Sequence, residues 1–336
     1  MLENNSYVHC ICVDFSTINH IILLDKLVML PLHPGIVALI SSFLFNRTQS
    51  TRLNNIISKP LRITRSVIQG SGFGPMLYAI NAHDLKTVSV TNKLCLYADD
   101  NNILVPEKSD VGPAEELNNV KKWANANKLV INLSKTKLLI FRRPNLNSTS
   151  LPAGFPGIET VDCIKLLGVF VSSVFNQSAH VNFLTCTANQ RLYLLKILRQ
   201  NGLNVNNLDC IFTAIVVSRI TYAIESWGNF VSREQEEKIN KMFRKAKRWG
   251  LCTKLYTFQE LKELRHDKFF KNICKNSSHC LYHLMPPLRD TLHSLRSRMH
   301  NHQLIRADKN LYQNSFIVSS LLTETKLLIN CKRLHS

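Results

Sequence analysis

An α+β fold is what this 336-residue sequence predicts, with strands and helices mixed at first and helices alone afterwards. Up to about residue 175, short apolar runs sit between Gly, Pro and Asn punctuation, the pattern of strands and turns. From His180 onward, apolar residues recur at helical intervals in long segments. Hydrophobic residues make up 45% of the chain and charged residues 19%, so a sizeable core can form and global disorder is excluded. Gly and Pro number 11 each, which excludes collagen-like and low-complexity architectures.

His9 to Phe15 reads as a buried strand, and alternation puts Cys10, Cys12 and Asp14 on one face. Ile18 to Leu30 carries Ile21, Leu24, Leu27 and Leu30 at helical spacing, and Pro31 stops it. Gly35 to Phe45 is a second apolar helix. Leu53 to Val67 alternates weakly, as a pair of strands. A Gly-rich loop, Gln69-Gly70-Ser71-Gly72-Phe73-Gly74-Pro75, opens onto an apolar helix from Met76 to Leu85, with Pro75 near its first position. Lys93 to Tyr97 and Asn102 to Val105 form a hairpin around Ala98-Asp99-Asp100. Pro113 begins an amphipathic helix with Leu117, Val120, Trp123 and Ala124 on one stripe. Leu129 to Ile131 and Lys137 to Phe141 read as a strand pair, Pro144 to Gly157 as a surface loop and Leu166 to Val171 as a strand. Helices follow over Leu184 to Arg199, Leu208 to Ser226, Glu234 to Trp249 and Gln259 to Lys275. No internal repeat is present, and the change near residue 175 is the expected domain boundary.

Lys and Arg total 42 against 23 Asp and Glu, a net charge of +19 that suits a polyanionic partner, nucleic acid or an acidic membrane face. No uncharged apolar run reaches 18 residues, so no membrane span is expected. No basic segment followed by an apolar stretch opens the chain, so no secretion signal is expected. The ten cysteines have no framework spacing and read as reduced thiols of an intracellular protein, nuclear or cytoplasmic.

Asp14 ends a strand, and Asp99 and Asp100 sit at a hairpin tip. Three carboxylates meeting at one point repel and take up protons unless a cation holds them. Two Mg²⁺ ions about 3.5–4 Å apart need hard-oxygen ligands of this sort and serve in-line attack at phosphorus. Neighbouring strand residues face opposite ways, so Asp99 is the stronger expected ligand and Asp100 the weaker. Taken alone, Asp99-Asp100-Asn101-Asn102 is also ordinary turn chemistry.

The surrounding residues add to this. Tyr97-Ala98-Asp99-Asp100 resembles the central motif of reverse transcriptases. Gln69-Gly70-Ser71, Gly74-Pro75 and Asn81-Ala82-His83-Asp84-Leu85 resemble the preceding motif of non-LTR, LINE-like retrotransposon enzymes of the jockey type. Val13-Asp14-Phe15-Ser16 with Asn19-His20 resembles their first catalytic motif. Trp123, Asn127-Lys128-Leu129, Asn132 and Lys135-Thr136 are similar to a later block. Leu166-Leu167-Gly168-Val169 with His180, and Tyr222 with Trp227-Gly228, resemble two more. Six elements stand in family order over roughly residues 10 to 250.

The resemblance implies a right-hand polymerase: a palm over 1–175, a helical thumb-like region over 176–255 and a helical extension over 256–336. It implies RNA-directed DNA polymerisation by two-metal nucleotidyl transfer to a primer 3′-OH. Asp14, Asp99 and Asp100 would hold two Mg²⁺ ions, with Mn²⁺ as substitute. Gln69, Gly70 and Ser71 would lie against template and nucleotide, and Lys135 would bind the triphosphate or the primer end. Gly168 would let the primer backbone approach. The implied partners are an RNA template, a DNA primer and deoxynucleoside triphosphates, with no membrane and no obligate protein partner. Three departures are visible. The stretch from Asp14 to His20 is four residues shorter than the family pattern and lacks the aromatic that lies under the sugar in relatives. The fingers that precede the first motif are missing. Ser66 and Ile68 replace a usual Gly and Pro. The expectation is an enzyme truncated at its N-terminus with little or no activity, and the alternative is a non-catalytic, basic RNA- or DNA-binding remnant.

Glu234 to Trp249 carries Lys238, Lys241, Arg244, Lys245, Lys247 and Arg248. Lys241, Arg244, Lys245 and Arg248 would track a nucleic-acid backbone, and a merely solvated helix face would look the same. Cys274, His279, Cys280 and His283 interleave without the paired spacing zinc requires and read as ordinary side chains. Cys10 and Cys12 read as core strand residues.

Overall fold

Three β-branched residues, Val8, Ile11 and Val13, with the aromatic Tyr7 favour an extended chain over Tyr7–Val13 (β1), a strand buried on both sides. A computed structural model of the chain describes residues 1–15, 18–68, 70–98, 100–144, 151–152, 154–288 and 302–322. Two compact units divide it, Met1–Asp162 and Cys163–Ser336.

In the first unit β1 leads to α1 (His20–Val28) and α2 (Pro34–Leu44). Asn19 caps α1 by accepting from the Ile21 and Ile22 amides, and His33 caps α2, whose Pro34 stands at the first position. Four short strands follow: β2 (Arg47–Gln49), β3 (Arg52–Leu53), β4 (Ile56–Ile57) and β5 (Leu61–Ile63). β3 pairs with β4 inside the β2–β5 pair, so the expected two strands over Leu53–Val67 are two nested hairpins. Asn54, at φ 53°, makes the inner turn. Next come α3 (Gly74–Ala82), β6 (Lys93–Tyr97), β7 (Asp100–Pro106), α4 (Pro113–Ala126), β8 (Lys137–Arg142) and β9 (Glu159–Val161). The sheet order is β6-β7-β1-β8-β9, antiparallel except for β8 and β9.

Alternation sorts the sheet's two faces. Ile11, Ile103, Val105, Leu138 and Ile140 point to α4, which buries Leu117, Val120 and Ala124 against them. Each fully buried side chain of this size contributes about 1.5–3 kcal/mol. A second cluster, Leu23, Leu27, Ile40, Leu44 and Leu77, joins α1, α2 and α3. Leu129–Ile131 is not a strand. Lys128, at φ 53°, turns the chain so that Leu129 drops into the α4 core, and Ile131 makes a single bridge to Phe15. β8 pairs with β1 instead. Residues 145–150 and 153 of the expected surface loop lie outside the described residues.

The second unit opens with a hairpin where one strand was expected: β10 (Cys163–Leu166) and β11 (Val169–Ser172) around Leu167 and Gly168, at φ 46° and 89°. The change to all-helical structure follows Ser172, yet this hairpin belongs to the second unit because Val169 is buried in its helical core. The helices are α5 (Ser178–Gln200), α6 (Val205–Phe212), α7 (Ser218–Thr221), α8 (Ile224–Trp227), α9 (Arg233–Arg248), α10 (Phe258–Lys275) and α11 (Asn310–Gln313). A π-helical turn, Thr213–Val217, joins α6 to α7, and Arg191 reaches in to the Ile215 carbonyl. By length and composition the run Val205–Phe230 could cross a membrane. Here it lays Leu208, Phe212, Val216, Ile220, Ile224 and Trp227 into the core.

Candidate functional site

β1 delivers Asp14 one residue past its end. The ladder pairs Cys12 with Asn102 and Val13 with Asn101, so its next step sets Asp14 against Asp100, the first residue of β7. Directly opposed residues of an antiparallel pair share a face. Two of the three expected carboxylates therefore stand one step past the last pair of the ladder, at the same end of β1 and β7. Asp99 lies outside the described residues. Asp100 pairs with Tyr97, and Ala98 sits at φ 49°, in the left-handed region.

The tight turn Asn132 to Thr136 docks beside Asp14. The Asn132 amide donates to the Asp14 carbonyl at 2.9 Å, and the Thr136 hydroxyl closes the turn on the Asn132 carbonyl. Lys135 is thereby carried to Asp14, with its Nζ 3.9 Å from Oδ2. The Asp14 side chain is 32% exposed and the lysine 69%. The pair stays hydrated and open to a ligand, and its mutual attraction is small. Among the described residues no three His, Cys, Asp or Glu side chains form a metal cluster. Cys10 and Cys12 share a face, their sulfurs 3.7 Å apart, and the hydrogen bond between them, ahead of burial, pushes the Cys10 thiol up. It is an inert core thiol, as the sequence suggests.

The Gly-rich loop turns on Gly70, at φ 80°, with nothing within 4 Å of where a Cβ would stand. Gln69 lies outside the described residues. The Ser71 hydroxyl donates to the Ile68 carbonyl at 2.8 Å and closes the loop. Ser66 adopts φ 73°, a left-handed conformation suited to glycine, and its carbonyl lies 2.6 Å from Nε2 of buried His20. α3 then ties this loop to the hairpin, since Asn101 Nδ2 donates to the Tyr78 hydroxyl at 3.0 Å.

Sequence reasoning gave Asp84 and Trp123 no role. Trp123 Nε1 donates to Asp84 Oδ1 at 2.9 Å, Lys26 pairs with the same oxygen at 2.7 Å, and the Lys26 ammonium stands 5.2 Å from the indole. Burial works to raise the Asp84 carboxyl, but the hydrogen bonds from Lys26 and Trp123 outweigh it and hold it below the ordinary range. α1, the end of α3 and α4 are thus fastened at one carboxylate. Glu116 was missed. It is fully buried and accepts from the Val88 and Ser89 amides and from Asn92 Nδ2, which pins the loop before β6. An acid in the first turn of a helix with Gly112-Pro113 ahead of it was the available signal.

In the second unit Gly168 packs its Cα against the Tyr222 ring, 3.4 Å from a would-be Cβ, and the Tyr222 hydroxyl donates to the Leu167 carbonyl at 3.0 Å. Trp227 Nε1 donates to the Tyr222 carbonyl, and the His180 ring stands 4.7 Å from the Trp227 indole. Burial, with Arg219 and Lys165 nearby, lowers His180 to about 4. Four motif residues far apart in sequence therefore form one structural knot. On α9, Lys241 and Arg248 are exposed, Arg244 pairs with Glu237, and Lys245 bends over the Trp249 ring at 4.5 Å and donates to Asn189. Arg244 and Lys245 are in part occupied by their own chain.

The family model for reverse transcriptase (RNA-dependent DNA polymerase) matches residues 3–184. The chain is 25% identical over 213 residues to the RNA-directed DNA polymerase from mobile element jockey of Drosophila melanogaster, covering 58% of this chain and 23% of that one. It is 23% identical over 200 residues to the probable RNA-directed DNA polymerase from transposon X-element of the same organism, covering 56% and 22%. With the probable RNA-directed DNA polymerase from transposon BS, also of Drosophila melanogaster, it shares 24% over 224 residues, covering 62% and 25%. The chain spans about a quarter of the length of these curated relatives. A family match over more than half the chain, on residues that run from β1 through the carboxylates and the Gly-rich loop to the His180 knot, means that the chain belongs to the reverse transcriptase family.

Proposed function

We propose that the chain acts as the RNA-directed DNA polymerase of a non-LTR mobile element, with the first unit as palm and the helices after it as thumb-like support. The observation that carries this reading is the meeting of Asp14 and Lys135 at the edge where β7 begins with Asp100. The donor set fits a divalent metal: hard carboxylate oxygens, partly hydrated, at adjacent ladder positions where like charges call for a cation. Asp14, Asp99 and Asp100 would hold Mg²⁺, which when bound stabilises charge at the phosphorus under attack and activates the primer hydroxyl.

The chain's own residues do the rest. Lys135 offers an exposed ammonium to the triphosphate, anchored by its turn and by Asp14. Gly70 leaves its backbone uncovered, so template or nucleotide can approach closely. Template, primer and nucleotide are the partners this chemistry requires.

The test is primer extension on an RNA template with Mg²⁺ and deoxynucleotides, beside Asp14→Asn and Asp99→Asn. With the first motif shortened, extension by the wild type is expected to be weak, and to fall at least a hundredfold in either variant. Equal extension by wild type and variants would refute the assignment of the carboxylates, and none from folded wild-type protein would refute the activity.

A further inference from the structure

We propose that a groove along α10 binds the phosphate groups of a nucleic-acid strand. The groove holds about 540 Å³, lined by Arg265, Lys268, Lys271, Asn272 and Lys275 of α10 and by Glu225 of α8. Residues 265, 268, 272 and 275 follow three- and four-residue steps, so they share one helix face. The ten steps from Arg265 to Lys275 span about 15 Å of helix axis at ~1.5 Å each. That is the axial length of about four nucleotides of one strand at ~3.4 Å each.

The cations are prepared to different degrees. Glu225, 13% exposed, takes Arg265 Nε at 3.4 Å and fixes the guanidinium at the groove. Lys271 pairs with Asp267 along the helix at 2.8 Å. Lys268 and Lys275 are exposed, with no ion-pair or hydrogen-bond partner among the described residues. Phe269, the groove's one aromatic, is engaged with His279 and Phe316 at 5.5 and 5.3 Å. No aromatic of the lining is left free to anchor a protein partner. A row of cations around an amide, on a chain of net charge +19, suits a phosphodiester backbone.

This site does not depend on polymerase activity, so binding alone tests it. The full chain is titrated with fluorescently labelled single-stranded RNA and DNA of one sequence over a KCl series. Lys268→Gln/Lys275→Gln is compared with Lys121→Gln/Lys122→Gln, which removes two exposed cations from α4. The slope of log K against log [KCl] is expected to flatten by about 1.4 on both strands in the groove variant, at ~0.7 per phosphate lost. The control is expected to keep the wild-type slope, and Lys268→Arg/Lys275→Arg to restore it. An unchanged slope in the groove variant, an equal change in the control, or equally tight binding of poly-glutamate would each overturn the proposal.

Discussion

Ser66 shows how one side chain can work against its backbone. The resemblance implies glycine at this position of the motif, and here a serine holds φ 73°, fixed by its amide donating to the Ile18 carbonyl and its carbonyl meeting His20. A left-handed residue with a Cβ costs about 1–2 kcal/mol, offset in part by the greater unfolded-state freedom of glycine. Ser66→Gly is expected to stabilise the first unit by about 0.5–1 kcal/mol, read as a higher urea midpoint. A lower midpoint would mean that the serine hydroxyl outweighs the strain. Glu116 is the opposite case, a buried side chain whose oxygens accept from two amides and an asparagine. Glu116→Gln turns an NH₂ toward donors that need an acceptor and is expected to cost about 2–3 kcal/mol in chemical denaturation. Near-wild-type stability would show that these hydrogen bonds contribute little to the fold.

Among the elements, the β10–β11 hairpin and the helices it packs on carry a pH dependence. His180 is 2% exposed, accepts from the Phe170 amide at Nδ1 and falls to about 4 in the fold against 6.5 when free. Between those values the unfolded chain binds the extra proton, so stability is full above about pH 6.5 and drains away as pH falls toward 4. The loss amounts to about 3 kcal/mol for one group. His266, lowered to about 4 chiefly by burial, acts in the same direction. Urea midpoints measured from pH 7 to 4 are expected to fall, and His180→Phe to flatten the curve. The same slope in the variant would assign it to other groups.

At the scale of the whole molecule, the elements with a clean period were legible and the pairings between them were not. β1, the β6–β7 hairpin, α4 and α9 follow from alternation or helical spacing with caps at their ends. Leu129–Ile131 looked like a strand because three apolar residues have no period of their own, and burial against α4 decided their fate. Leu166–Val171 looked continuous because Gly168 reads equally as strand or turn until its φ is known. Of the candidate site, Asp14 and Lys135 could be named from motifs, while their 3.9 Å approach depends on a turn that only tertiary packing orients. Charge is uneven as well. Between Asp25 and Asp84 the sequence has six Lys and Arg residues, from Lys26 to Arg65, and no Asp or Glu. The nested hairpins β2–β5 belong to this stretch, and their exposed Arg52, Lys59, Arg62 and Arg65 present an unbroken positive field.

The π-helical turn at Thr213–Val217 sets the phase of α7, which follows it directly. A turn of this kind takes in one more residue than an α-helical turn, so later side chains lag by about 100° of rotation. With that lag, Ile220 of α7 stays close to the azimuth of Leu208 and Phe212, and Tyr222, which ends the helix, arrives where Gly168 is waiting. The extra residue works as a rotational spacer, aligning the two ends of a helix whose sequence alone would have left them out of step.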